Sequence, residues 1–131
     1  MDRTEYARIM SKYTVLFVDD DDGIVENLAR VYKRYFKEVY TAANGLLGIE
    51  QYEKYKPDIV ITDVTMPKCD GIKMATEIKK ADPELKVIFS SGHNEEDFIK
   101  EFEKFGGFYL TKPMDMTTLL NMILVVLKEE Q

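Results

Sequence analysis

Residues 58–71 read DIVITDVTMPKCDG. The run Ile59-Val60-Ile61-Thr62 suits a strand covered on both faces, because such a strand shows near-continuous apolar or β-branched character rather than alternation. It begins at Asp58 and ends in a carboxylate, Asp63, after which Pro67 and Asp70-Gly71 turn the chain. Four more β-rich runs lie outward of this one: Thr14 to Asp19 (TVLFVD), Glu38 to Ala42 (EVYTA), Lys86 to Ser90 (KVIFS) and Gly107 to Thr111 (GFYLT). Helical patterns separate them. Ile24, Leu28, Val31 and Tyr35 form one inward stripe after the first strand, and Phe98, Phe102 and Phe105 form another before the fifth. Breakers mark the connections at Asn44-Gly45, Lys56-Pro57, Asp70-Gly71, Asp82-Pro83 and Gly106-Gly107. Strands alternating with helices predict an α/β fold, (βα)5, with a doubly wound parallel sheet of five strands.

A chain of 131 residues with 45% hydrophobic content can bury one core and is too short for two ordinary domains. The expected domain runs over residues 14–131. Residues 1–13 form an N-terminal extension, either a short helix through Tyr6, Ile9, Met10 and Tyr13 or part of a linker. The formal charge is −6, and 18 Lys and Arg are scattered among 24 Asp and Glu, which speaks against direct nucleic-acid binding. Cys69 has no second cysteine to pair with, and no Cys/His cluster has zinc spacing, so a reducing compartment, the cytoplasm, is expected. The first residues, MDRTEYARIMSKY, lack the apolar run of a signal peptide, and no stretch is long enough to span a bilayer.

In an open parallel sheet, ligands bind beyond the carboxyl ends of the strands. The first strand ends in Asp19-Asp20, followed by Asp21-Asp22-Gly23, and the third ends in Asp63. In strand order 2-1-3-4-5 these strands are neighbours and three carboxylates converge. Without a partner they repel, and a bound divalent cation resolves the conflict. All-oxygen ligands with room for water favour Mg²⁺. A calcium loop of the EF-hand type is excluded, since Gly23 at its glycine position would place Val18 and Ala29 at the first and last ligands. The acidic run also has a plain reading, an N-cap supplied by Asp21 or Asp22. The fourth strand leads to Ser90-Ser91-Gly92 and the fifth to Thr111-Lys112-Pro113, so a hydroxyl and an ammonium reach the same sheet edge. A metal, a hydroxyl and an ammonium around Asp63 make a site for phosphoryl transfer to that carboxylate, in which positioning and charge neutralisation dominate.

LFVDDDD, DIVITDVTMPKCDG, VIFSSG and FYLTKP, in this order, resemble the receiver domain of bacterial two-component response regulators, and the likeness to the chemotaxis-regulator type covers Thr14 to about Lys128. The resemblance implies a flavodoxin-like fold with Asp63 as phospho-acceptor. Asp19, Asp20, Asp63 and the Thr65 carbonyl would hold Mg²⁺. It also implies that Ser91 and Lys112 bind the phosphoryl group, that Tyr109 follows Ser91 as a switch, and that Lys112-Pro113 is a cis peptide bond. The phosphodonor would be a phosphohistidine on a sensor histidine kinase or phosphotransfer protein. Such a domain catalyses only its own phosphorylation and dephosphorylation, and so is not an enzyme acting on other substrates. Phe105-Gly106-Gly107 and Met114 depart from the family pattern without touching the chemistry.

Plainer readings exist for individual residues. Ser91 could simply end a strand, Lys112 could be a solvated loop residue, Tyr109 a strand aromatic, and His93 and Cys69 incidental. Two rival functions compete with this reading. A haloacid-dehalogenase-like phosphatase would use Asp20 as nucleophile, but it leaves residues 58–71 unexplained and the chain has no room for a cap domain. A binding module, either a degenerate receiver or a flavin binder, fits poorly, because every chemical position is filled and four aspartates stand where a flavin phosphate would need a Gly/Ser/Thr loop.

The final helix, TTLLNMILVVLKEE after Met116, is more apolar than one stripe requires. Met116, Leu119, Leu120, Ile123 and Leu127 form the inward face, which leaves Met122 and Val125 outward and Leu124 and Val126 on the flanks. Something is expected to cover them. One candidate is a second copy or an output domain docked on the fourth crossover helix, fifth strand and final helix; the other is the segment Tyr6 to Met10 folding back.

Overall fold

The structure, a computed structural model, describes residues 1–64, 66, 70–91, 102–112 and 115–127. The elements in chain order are α1 (Arg3–Met10), β1 (Thr14–Val18), α2 (Asp22–Tyr32), β2 (Glu38–Ala42), α3 (Gly45–Tyr55), β3 (Ile59–Asp63), α4 (Gly71–Ala81), β4 (Val87–Ser91), β5 (Phe108–Thr111) and α5 (Met116–Val126). Residues 102–105 are also helical. All strand pairs are parallel, in the order β2-β1-β3-β4-β5. This is the expected flavodoxin-like sheet, with strand ends shifted by one residue. Asp19 falls just past β1, although its N–H still donates to the Ala42 carbonyl at 3.1 Å.

Alternation along the strands builds two cores. Val15 and Phe17 of β1 join Ile59, Ile61 and Ile88 in one cluster with α1, α2 and α5, while Leu16 and Val18 join Val60, Phe89, Met74 and Tyr52 in the other. Successive side chains point to opposite faces, so a strand buried on both sides must be apolar throughout. The breakers sit where expected. Asn44 and Asp70 cap α3 and α4 by accepting from the Leu47 and Lys73 amides at 2.9 and 2.8 Å, Lys56 ends α3 in the left-handed region with φ 48°, and Gly106 and Gly107 adopt φ of 80° and 108°, which cost glycine little. Tyr52 ties α3 to the end of α4 by donating to the Asp82 carboxylate at 2.6 Å.

Two stripes differ from expectation. In α2 the expected stripe holds at Leu28 and Val31, which pack against the core, but Ile24 is exposed and Val25 and Tyr32 are buried. Ile24 and Val25 are adjacent and both apolar, so periodicity alone could not choose between them, and the choice follows the Tyr32 ring, 5.2 Å from that of Phe17. Helix α2 ends at Tyr32, so Tyr35 lies beyond it, yet its side chain is buried in the core as expected. In α5 the flanking Leu124 and Val126 are buried, and Met122 packs against the same cluster. The reason is α1. It folds back on α5, with Tyr6, Ile9 and Met10 buried in that cluster and the Tyr6 hydroxyl donating to Asn121 Oδ1 at 2.7 Å. Val125 stays 59% exposed. Phe98 lies outside the described residues, whereas Phe102 and Phe105 set their rings edge-on to Phe89.

Met10 is fully buried, and Met10→Ala is expected to cost about 2–5 kcal/mol of stability in urea unfolding, as large-to-small changes in a core do. If α1 were loosely attached the loss would stay below about 0.5 kcal/mol, as surface changes do. The Tyr52 contact has a pH signature. The Tyr52 hydroxyl holds the Asp82 carboxyl below its usual range, so the bond's stabilisation is present above the ordinary carboxylate pKa and fades as pH falls through the depressed value. Tyr52→Phe should therefore lose less stability than the native chain between about pH 5 and pH 3, where carboxylates titrate.

Candidate functional site

The site follows from pairing between β1 and β3. Their register runs to Val18 opposite Thr62, so the next residues, Asp19 and Asp63, end side by side at the carboxyl edge of the sheet. Carboxylate oxygens of Asp19, Asp20 and Asp63 lie within 4.8 Å of one another. Asp19 is buried, Asp63 partly so, and Asp20 is exposed. Lys112, which follows β5, reaches across the edge: its Nζ lies 3.2 Å from Asp19 Oδ2 and 3.4 Å from Asp63 Oδ2.

The acidic run divides between its two readings. Asp21 is the N-cap of α2, accepting from the Ile24 amide at 3.2 Å, and its own N–H donates to Asp19 Oδ1 at 3.0 Å. Capping thus orients the loop, while Asp19 and Asp20 remain directed at the cluster. Burial pushes the Asp63 carboxyl above its usual range, Lys112 opposes this, and Asp19 adds to it. For Lys112 burial alone would lower the pKa, but attraction to Asp63 and Asp19 outweighs it and the ammonium is held more firmly than usual. Three carboxylates against one ammonium leave uncompensated negative charge in a partly dry site. The donor set is all oxygen, with no His or Cys in it. Both features fit a hard divalent cation such as Mg²⁺.

Ser91 closes β4. It is 2% exposed, and its carbonyl accepts from the Lys112 N–H at 2.8 Å, so the serine and the lysine share one backbone link. Tyr109 stands opposite Phe89 in the β4–β5 register, and its ring lies 5.6 Å from that of Phe102. Thr65 and Pro113 lie outside the described residues, as do His93, Cys69 and Met114.

Sequence reading missed two supporting residues. A Cβ on Gly71 would come within 2.3 Å of the Asp63 carbonyl oxygen, and the Gly71 N–H donates to the Val64 carbonyl at 2.9 Å. The start of α4 therefore presses directly on the chain at Asp63. Thr62 is fully buried, and its hydroxyl donates to that same Asp63 carbonyl at 2.9 Å. Asp70-Gly71 was visible only as a breaker, because close approach across a fold leaves no local mark.

The sequence model of the response regulator receiver domain matches residues 15–124. The chain belongs to this family. Among curated proteins, the receiver is 33% identical to the chemotaxis protein CheY of Halobacterium salinarum over 86% of this chain and 95% of that one. It is 32% identical to sporulation initiation phosphotransferase F of Bacillus subtilis over 82% and 87%. Among solved structures it resembles a receiver domain protein from Clostridium thermocellum, with TM-score 0.79, 30% identity and coverage of 88% and 94%. It also resembles a chain of the CheX-CheY-BeF3-Mg+2 complex from Borrelia burgdorferi, with TM-score 0.80, 29% identity and coverage of 92% and 97%. The domain is thus a two-component signalling module, and neither the phosphatase nor the flavin-binding reading is favoured. Among the described residues no helix is long and apolar enough to cross a membrane.

Gly71→Ala should destabilise the receiver by about 1–3 kcal/mol through overpacking against the Asp63 backbone. Urea unfolding measures the loss, and a change below about 0.5 kcal/mol, the range of ordinary surface substitutions, would show that α4 can retreat freely.

Proposed function

We propose that this receiver accepts a phosphoryl group on Asp63 from a phosphohistidine of a sensor histidine kinase or phosphotransfer protein. The observation that carries the reading is the placing of Asp63 within 4.8 Å of Asp19 and Asp20 and 3.4 Å from the Lys112 ammonium. An Asp63 carboxylate oxygen attacks phosphorus, the P–N bond to the imidazole breaks, and its electron pair returns to the ring nitrogen. Mg²⁺ held by Asp19, Asp20, Asp63 and the Thr65 carbonyl would supply neutralisation of phosphoryl charge. Lys112 then pairs with the phosphoryl oxygens instead of the two carboxylates it meets now, and Asp19 and Asp20 keep the site able to hold the cation. The likeness to a chain of the CheX-CheY-BeF3-Mg+2 complex supports this assignment, as does 33% identity to part of the sensor kinase CckA of Brucella abortus, of which this chain spans 13%.

Ser91 is the proposed reporter of the phosphoryl group and Tyr109 the residue that follows it, so that phosphorylation biases a two-state surface. Pro113 would support the turn after Lys112 through a cis peptide bond. The readout would be self-association or docking of an output domain on the surface of the fourth crossover helix, β5 and α5, where Phe108 and Val125 are exposed. Residues 14–131 would be the receiver proper, residues 1–13 an extension, and the cytoplasm the place of action.

Incubation with Mg²⁺ and a small acyl-phosphate donor, followed by intact mass measurement, tests the reading. The native chain should gain one acid-labile phosphoryl group and Asp63→Asn none. Asp20→Asn should slow the reaction by weakening Mg²⁺ binding. Lys112→Ala should keep Mg²⁺ affinity within a few-fold, yet lose transfer or its conformational consequence, because the ammonium meets the phosphoryl group rather than the ion. Full labelling of Asp63→Asn together with none of Asp20→Asn would move the nucleophile to Asp20 and overturn the proposal.

A further inference from the structure

Helix α1 lies outside the residues that match the receiver family, and with the end of α2, the turn after it and the start of α5 it borders a half-open cavity of about 510 Å³. None of the lining residues belongs to the acidic cluster. Ala7, Val31, Met116 and the Tyr35 ring give it apolar walls, and Thr4 adds a hydroxyl. The charged groups that line it are both guanidinium, Arg3 and Arg34. Neither forms an ion pair with another described residue. Asp2 and Asp115, the acids next in sequence to lining residues, accept as helix caps from the Glu5 and Thr118 amides at 3.0 and 2.7 Å, and neither forms an ion pair with these arginines.

In a chain of net charge −6, two arginines without acidic partners over an apolar chamber select against cations and for an anion. The volume lies in the usual range for small-molecule sites, roughly 300–1,000 Å³. A bare inorganic anion would leave the apolar walls unfilled. A guanidinium fork matches a carboxylate with two parallel hydrogen bonds. We propose that this cavity binds a small organic carboxylate whose apolar body packs on Ala7, Val31 and Met116 while its head group meets Arg3 and Arg34. Tyr6 anchors the α1 wall through its bond to Asn121.

The test uses the full chain and three probes: phenylbutyrate, the phenylbutylamine that shares its body with opposite charge, and inorganic phosphate. Methyl NMR should show saturable shifts at Ala7, Val31 and Met116 with phenylbutyrate, and none with the amine or with phosphate. Arg3→Gln combined with Arg34→Gln should weaken phenylbutyrate binding about tenfold or more, the loss expected for a charge-assisted pair. Both arginines are exposed, and an unchanged circular dichroism spectrum checks that the variant is folded. An equal response to the amine, an undiminished response in the double variant, or no saturable shift at millimolar phenylbutyrate would each overturn the proposal.

Discussion

Asp19 and Asp63 stand side by side because β1 and β3 pair in parallel with Val18 opposite Thr62. Two like charges at about 4 Å repel by roughly 4 kcal/mol even at an effective dielectric of 20, and Asp20 adds a third carboxylate. The fold sustains this arrangement because the sheet beneath is clamped on both faces by apolar clusters. Lys112 relieves part of the repulsion. What remains is a standing attraction for cations, together with an Asp63 carboxyl held above its usual range by burial. Capping of α2 by Asp21, contact of Gly71 with the Asp63 carbonyl, and the link from Lys112 to Ser91 all serve to hold these charged groups in place.

The opposite demand, for apolar cover, shapes the other side of the molecule. Helix α5 carries more apolar residues than one inward face can use, and α1 supplies the missing surface through Tyr6, Ile9 and Met10. Burying such side chains is worth about 1.5–3 kcal/mol each when complete, enough to hold a helix of eight residues that would not persist alone in water. With Leu124 and Val126 buried and Met122 partly so in the cluster that α1 joins, Val125 is the large apolar residue of α5 that stays exposed. The same docking brings Arg3 and Arg34 to the rim of one cavity. An element that fills a packing need thereby creates a surface that β1 to α5 alone would lack.

Five parallel strands and the carboxylates at their ends were legible in the residues, because a doubly covered strand must be apolar throughout and a crossover must be helical, while the order 2-1-3-4-5 was what the family resemblance implied. Given that order, the strand ends bring Asp19, Asp63, Ser91 and Lys112 to one sheet edge, and the structure places them there. What depended on contact between distant segments was not. Periodicity could not choose between Ile24 and Val25, since both neighbours are apolar, and only packing of Tyr32 on Phe17 decided it. The role of Gly71 needed the distance from α4 to Asp63. Whether Tyr6 to Met10 formed a linker or a wall needed α5 in place, because a short helix gains its stability from the surface it meets. Local pattern thus determined the elements and the charged edge, while tertiary packing decided which faces are covered, since burial depends on pairs of surfaces and sequence states only one of each pair.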